Sequence, residues 1–138
     1  MHPYIEKIEK SGQKANNTFV TLGITPVSWG GGKAVLKMTV SEKNHNGAGF
    51  LQGGFYVVLA DEAIALALCT LLEENQGCTT VNENTSFIKG AHDCDIYAVA
   101  TILRKGRRIA YTEAEVHEGS PDGLLLSKTS ATYLILEK

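Results

Sequence analysis

The stretch that decides the fold is FLQGGFYVVLADEAIALALCTLL, Phe50 to Leu72. It opens on a Gly-Gly pair, and from Phe55 to Leu72 only Asp61, Glu62 and Thr70 interrupt apolar and small residues. A segment apolar on nearly every face belongs in a protein core or in a bilayer. Asp61 and Glu62 each cost roughly 2.5–3.5 kcal/mol at a bilayer centre, which favours the core. The expectation is one buried helix, about 30 Å long at 1.5 Å per residue. Such a helix needs a wrapping on most sides, and the rest of the chain offers a large sheet. Adjacent helical residues point about 100° apart, so Asp61 and Glu62 face different surroundings. An acid in so apolar a helix is paired structurally, lies on an exposed edge, or is held for chemistry.

Working outward, residues 33–41 read KAVLKMTVS, with Ala34, Leu36, Met38 and Val40 alternating as one face of a strand. The polar loop 42–52 feeds the helix. Gly77 is expected to cap the helix end. Four further strands follow, roughly 78–89, 94–104, 107–117 and 124–136, separated by KGAHD, RKGR and EGSPDG. Before residue 33 the pattern predicts a short capping helix over 3–15, within residues 1–17, ended by Asn16 and Asn17. An irregular extended segment from Phe19 to Val27 comes next, then a Gly30–Gly32 turn. That glycine run precedes neither a helix pattern nor a Lys-Ser/Thr pair, so it reads as a hairpin connection and not a phosphate loop. One central helix and a meander of strands make an α+β domain with an antiparallel sheet. No repeat or domain boundary interrupts residues 1–138.

The composition is ordinary for a globular chain, with 43% hydrophobic and 20% charged residues. A net charge of −2 argues against a dedicated nucleic-acid binder. Cys69, Cys78 and Cys94 form no CxxC pair, which suits a reducing cytoplasm. The charged N-terminal segment has no signal-peptide core, and no membrane association is expected. His92 and His117 are not spaced as metal ligands, and with His2 they form no cluster, so no metal is expected.

Asn46, the Gln52-Gly53-Gly54 run and Asp61, eight residues after Gly53, precede the four-strand meander. In this order they resemble the hot-dog fold, and more narrowly the PaaI-like (phenylacetate-degradation) acyl-CoA thioesterases. TVNENTSFIKGA (80–91), LRKGRRIAYTEAEV (103–116) and SKTSATYLI (127–135) extend the resemblance over roughly residues 19–136. It implies a hot-dog domain that hydrolyses a small or aromatic acyl-CoA thioester without a cofactor. The family usually carries His where this chain has Gln52. An amide donates a hydrogen bond but does not titrate near neutral pH, so the chemistry must run without acid–base work there.

Thioester hydrolysis requires a donor for the developing oxyanion and an activated water or nucleophile. The Gly53 backbone N–H at the helix start suits the oxyanion, and Asp61 suits nucleophile or general base. Eight helical residues separate the two by about 12 Å, too far to act on one carbon. A two-fold-related helix would bring Asp61 of one subunit beside Gly53 of another. The expectation is therefore an obligate homodimer with two shared sites, and the resemblance implies further pairing as a dimer of dimers (a homotetramer). By resemblance Asn46 positions water or carbonyl, against the plainer role of a turn Asn satisfying its own backbone. Thr80 matches a family hydroxyl near the acid. Glu62 reads as structural or interfacial, and His45 as a solvated loop residue. The cationic run Arg104, Lys105, Gly106, Arg107 and Arg108 either guards a hairpin or captures CoA phosphates, with Phe87, Lys89 and Gly90 in the same groove. Two alternatives stay open: an acyl-CoA binder without turnover, favoured by Gln52, and a hot-dog dehydratase, disfavoured because no His lies on or just before the central helix.

Overall fold

The structure is a computed structural model describing all residues, Met1–Lys138. Helix α1 spans Pro3–Ser11, with His2 capping the Tyr4 amide and Pro3 at the first helical position. A 3₁₀ turn over Gly12–Ala15 follows, and then helix α2, Asn17–Leu22. The extended segment expected from Phe19 is therefore helical up to Leu22. Asn16 does not end a helix; its side chain accepts from the Thr18 amide and starts one, and Gly23 stops it at φ 71°. The six strands are β1 (Ile24–Gly30), β2 (Lys33–Thr39), β3 (Gln76–Phe87), β4 (Asp95–Lys105), β5 (Ile109–Glu118) and β6 (Leu124–Glu137). They form one antiparallel sheet in the order β1-β2-β4-β5-β6-β3.

Helix α3 runs Gly53–Cys69, 17 residues, shorter than the apolar stretch that encodes it. Before Gly53 the backbone is committed elsewhere: the Leu51 amide donates to Ala91 O at 2.9 Å and that of Gln52 to Asn44 O at 3.0 Å. At the other end Thr70 Oγ1 donates back to Ala67 O at 2.6 Å and accepts the Gly32 amide at 2.8 Å. That bond ties the Gly30–Gly32 hairpin, whose glycines all have positive φ, to the helix end. Gly77 lies within β3 and caps nothing.

The sheet curls around α3. Leu59, Ala60, Ala63, Ile64, Leu66, Ala67 and Leu68 are fully buried, as are Leu36, Ile96, Ala98, Ala100 and Ala110 from the strands. Small residues on the strands let the helix sit close, and burial of its large side chains is the main stabilising term. Towards the β6–β3 edge the lining becomes polar, with Thr112, Ser127 and Thr129 buried beside α3's neighbours. No helix is long and apolar enough to cross a membrane.

Candidate active site

Asp61 sits in the middle of α3 on its half-buried side, facing this polar edge. Thr80 Oγ1 donates to Asp61 Oδ1 at 2.9 Å, and the Tyr133 hydroxyl bonds the same oxygen and lies 3.0 Å from the Asp61 backbone carbonyl. Both hydroxyl bonds end on Oδ1, so Oδ2 is left without a hydroxyl donor. A carboxylate held by hydroxyls through one oxygen is oriented for attack or for taking a proton with the other. Burial, and then the bond to Asp61, pushes the Tyr133 phenol far up, so it stays a donor at any working pH.

Glu83 is a second carboxyl at this position. A bulge between Thr80 and Asn82 breaks the strand's alternation, so Thr80 opposes Tyr133 and Glu83 opposes Ala131 on one sheet face. Burial, and then the neighbouring Asp61, pushes the Glu83 carboxyl up to about 8. Its Oε1 is buried without a hydrogen-bond partner, as is Ser127 Oγ on the adjacent strand. Like charges this close do not both ionise readily, so Glu83 holds a proton beside Asp61 at neutral pH. Neither Tyr133 nor Glu83 was among the residues expected here.

Gly53 opens α3 one end of the groove away. A side chain there would meet only the Phe87 ring, at ordinary contact distances of 3.5–3.6 Å. Tyr56 and Phe87 meet edge to face at 5.7 Å, and with Asn46, Phe50, Lys89 and Gly90 they line a cleft of about 300 Å³. Gln52 is exposed at the helix N-cap and makes no side-chain cap bond. The Asn46 carbonyl oxygen accepts the Ala48 and Phe50 amides at 2.9 and 3.2 Å, which is the turn role; its amide group remains free. Glu62 accepts from Asn16 Nδ2 at 2.9 Å and is structural.

The β4–β5 turn, carrying Arg104, Lys105, Gly106 and Arg107, does not join Phe87, Lys89 and Gly90 in one groove of this chain. Arg108 O accepts the Ile135 amide, and Ile135 pairs with Cys78, nine residues along β3 from Phe87. That is about 30 Å of strand. His2 bonds Gln76 O and His117 bonds Gly123 O, both structural contacts, whereas His45 stacks on His92. The three cysteines are free thiols.

A central helix cradled by a curled antiparallel sheet is the hot-dog fold, here with an acid at mid-helix and a glycine at the helix start. Residues 48–124 match the family model described as the thioesterase superfamily. Human acyl-coenzyme A thioesterase 13 is 32% identical over 115 residues, 81% of each chain. The 1,4-dihydroxy-2-naphthoyl-CoA hydrolase of Listeria monocytogenes is 28% identical over 108 residues, 78% of this chain and 88% of that one. In fold, the PaaI protein of the E. coli phenylacetic acid degradation operon superposes with a TM-score of 0.83 at 18% identity, over 96% of this chain and 93% of that one. The chain belongs to the thioesterase superfamily: it is a hot-dog protein and a thioester hydrolase, and it shares its fold with PaaI.

Proposed function

We propose that this hydrolase acts on acyl-CoA esters with a small or aromatic acyl group, with Asp61 as its reacting acid. The observation that carries the reading is the Asp61 carboxylate, held through Oδ1 by both Thr80 and Tyr133, with no hydroxyl donor on Oδ2. As nucleophile, Oδ2 attacks the thioester carbonyl carbon, the C–S bond breaks, and CoA leaves as thiolate; water then cleaves the anhydride. As general base, Asp61 takes a proton from the water that attacks. Either route places negative charge on the carbonyl oxygen, which the Gly53 N–H of the partner subunit stabilises at the positive end of its helix.

A two-fold pairing of β3 edges supports this sharing. β3 is an unpaired edge with Val81, Phe87 and Ile88 each more than half exposed, which a solitary subunit would leave open to aggregation. Opposing Val81 to Phe87 of the partner subunit centres the pairing near Asn84. The Thr80–Glu83 level beside Asp61 then faces the Phe87 level beside Gly53 in the partner subunit. The same register brings the cationic β4–β5 turn towards Lys89 and Gly90 of the partner subunit, a fitting clamp for CoA phosphates. The Tyr56 and Phe87 rings favour a flat acyl group, in keeping with the name of the Listeria relative.

The test is thiol release from a panel of acyl-CoA esters. Asp61→Asn, which keeps size and hydrogen bonding, is expected to lose about 10³-fold in kcat while remaining assembled. If wild type binds acyl-CoA and releases no thiol, Gln52 marks a binding protein and the catalytic reading fails.

A further inference from the structure

We propose that His45, His92 and Asp93 form a binding site for a divalent transition metal of the zinc class, beside the acyl-CoA cleft. The fold brings together what sequence spacing kept apart: the loop before α3 meets the turn before β4, and the three side chains' ligand atoms all lie within 4.8 Å of one another. His45 Nε2 lies 3.2 Å from one Asp93 oxygen and His92 Nε2 lies 3.3 Å from the other. A tetrahedral ion with ligand bonds of about 2.0–2.1 Å sets neighbouring ligand atoms about 3.3 Å apart, so each His–Asp distance matches one such edge, and a small rotation of the Asp93 carboxylate presents a single oxygen to both rings.

Tautomer and orientation agree with a ligand role. His92 Nδ1 stands 2.6 Å from the Gly49 carbonyl, to which it can only donate. In the neutral ring this leaves the Nε2 lone pair facing the cluster, the arrangement by which a backbone carbonyl orients a ligating imidazole. His45 is 15% exposed, and its Nε2 is buried yet aligned with no hydrogen-bond partner, the Asp93 oxygen nearby included. Asp93 takes φ 37°, the one non-glycine residue of the chain with positive φ. Its carboxylate faces both rings. The frame is fixed: His45 bridges Leu51, Leu51 bonds Ala91, and the two imidazoles stack at 5.4 Å and an interplanar angle of 15°. Imidazole and carboxylate suit zinc, cobalt or nickel, and the exposed sides of His92 and Asp93 leave a position for water. A bound ion would fasten the Asn46–Gln52 loop to the 88–94 segment, the two walls of the cleft.

The experiment uses the full chain, stripped with a chelator, and does not depend on turnover. Calorimetric titration with zinc chloride is expected to show one ion per chain with micromolar affinity, and zinc to raise Tm by several degrees. Cobalt(II) is expected to give the visible bands of a nitrogen–oxygen site without a thiolate charge-transfer band. His92→Ala and Asp93→Asn, both at exposed positions, are expected to keep the metal-free Tm and lose more than about tenfold in zinc affinity. Absence of zinc binding by wild type at micromolar metal, unchanged affinity in the two variants, or a thiolate band implicating the cysteines would each overturn the proposal.

Discussion

At the scale of single residues, the candidate site sets two carboxyls in different surroundings. Asp61 receives two hydroxyls, whereas Glu83 has a buried oxygen with no partner and is pushed up to about 8. A raised acid binds its proton more tightly in the folded chain. Its contribution is therefore fully present below the ordinary carboxylate range, near 4.5, and is lost as pH rises towards 8. Glu83→Gln removes that dependence. The variant is expected to match wild type near pH 4.5 and to exceed it by about 1 kcal/mol above pH 8, a figure held low because the group is partly solvated. Thermal melts across that range decide it, and parallel lines for the two proteins would rule out the raised carboxyl. The kcat–pH profile should lose an alkaline limb in the same variant if the Glu83 proton keeps a second charge away from Asp61.

At the scale of elements, the N-terminal helices are fastened to α3 by one side chain. Asn16 caps α2 through the Thr18 amide, and its Nδ2 donates to both the Tyr4 hydroxyl and Glu62, at 2.9 Å each. Burial pushes the Glu62 carboxyl up, and the Asn16 bond pulls against that. Asn16→Ala is expected to cost about 2 kcal/mol at neutral pH, about half from the lost cap and half from the stranded acid. Without Asn16 the folded Glu62 rises further, so the penalty should shrink towards pH 4, where the acid is protonated in both states. Denaturant titrations at the two pH values measure this directly; equal penalties would assign the whole effect to the cap.

At the scale of the whole molecule, the open β3 edge and the separation of Gly53 from Asp61 both fit the proposed dimer. Asn84 is exposed near the proposed two-fold axis. Asn84→Lys sets two ammonium groups opposite each other there and should leave the subunit folded while weakening the dimer by about tenfold or more. Sedimentation against concentration reads the dimer, and thiol release should fall in step with dissociation. Activity retained in a monomer would show that one chain completes its own site.

The sequence by itself determined the buried helix, because its apolar residues exceed what one face requires. It also determined the strand pattern and the residue order Asn46, Gly53, Asp61 and Thr80, which carries the family resemblance. It overstated the helix at both ends: Leu51 and Gln52 give their amides to distant carbonyls, and Thr70 turns back on Ala67, contacts that hydrophobic pattern does not encode. Asn16 read as the end of the first helix, whereas in the structure it caps a second one that buries Phe19 in the core. Tertiary structure alone decided the rest of the site. Simple alternation from Thr80 puts Asn82 and Asn84 on its face; the bulge at Val81 substitutes Glu83. Tyr133 reaches Asp61 from 72 positions away, and His45 reaches His92 across two loops. Local residue patterns fix periodicity and breaks, whereas register, bulges and the meeting of distant loops are settled only when the sheet closes around the helix.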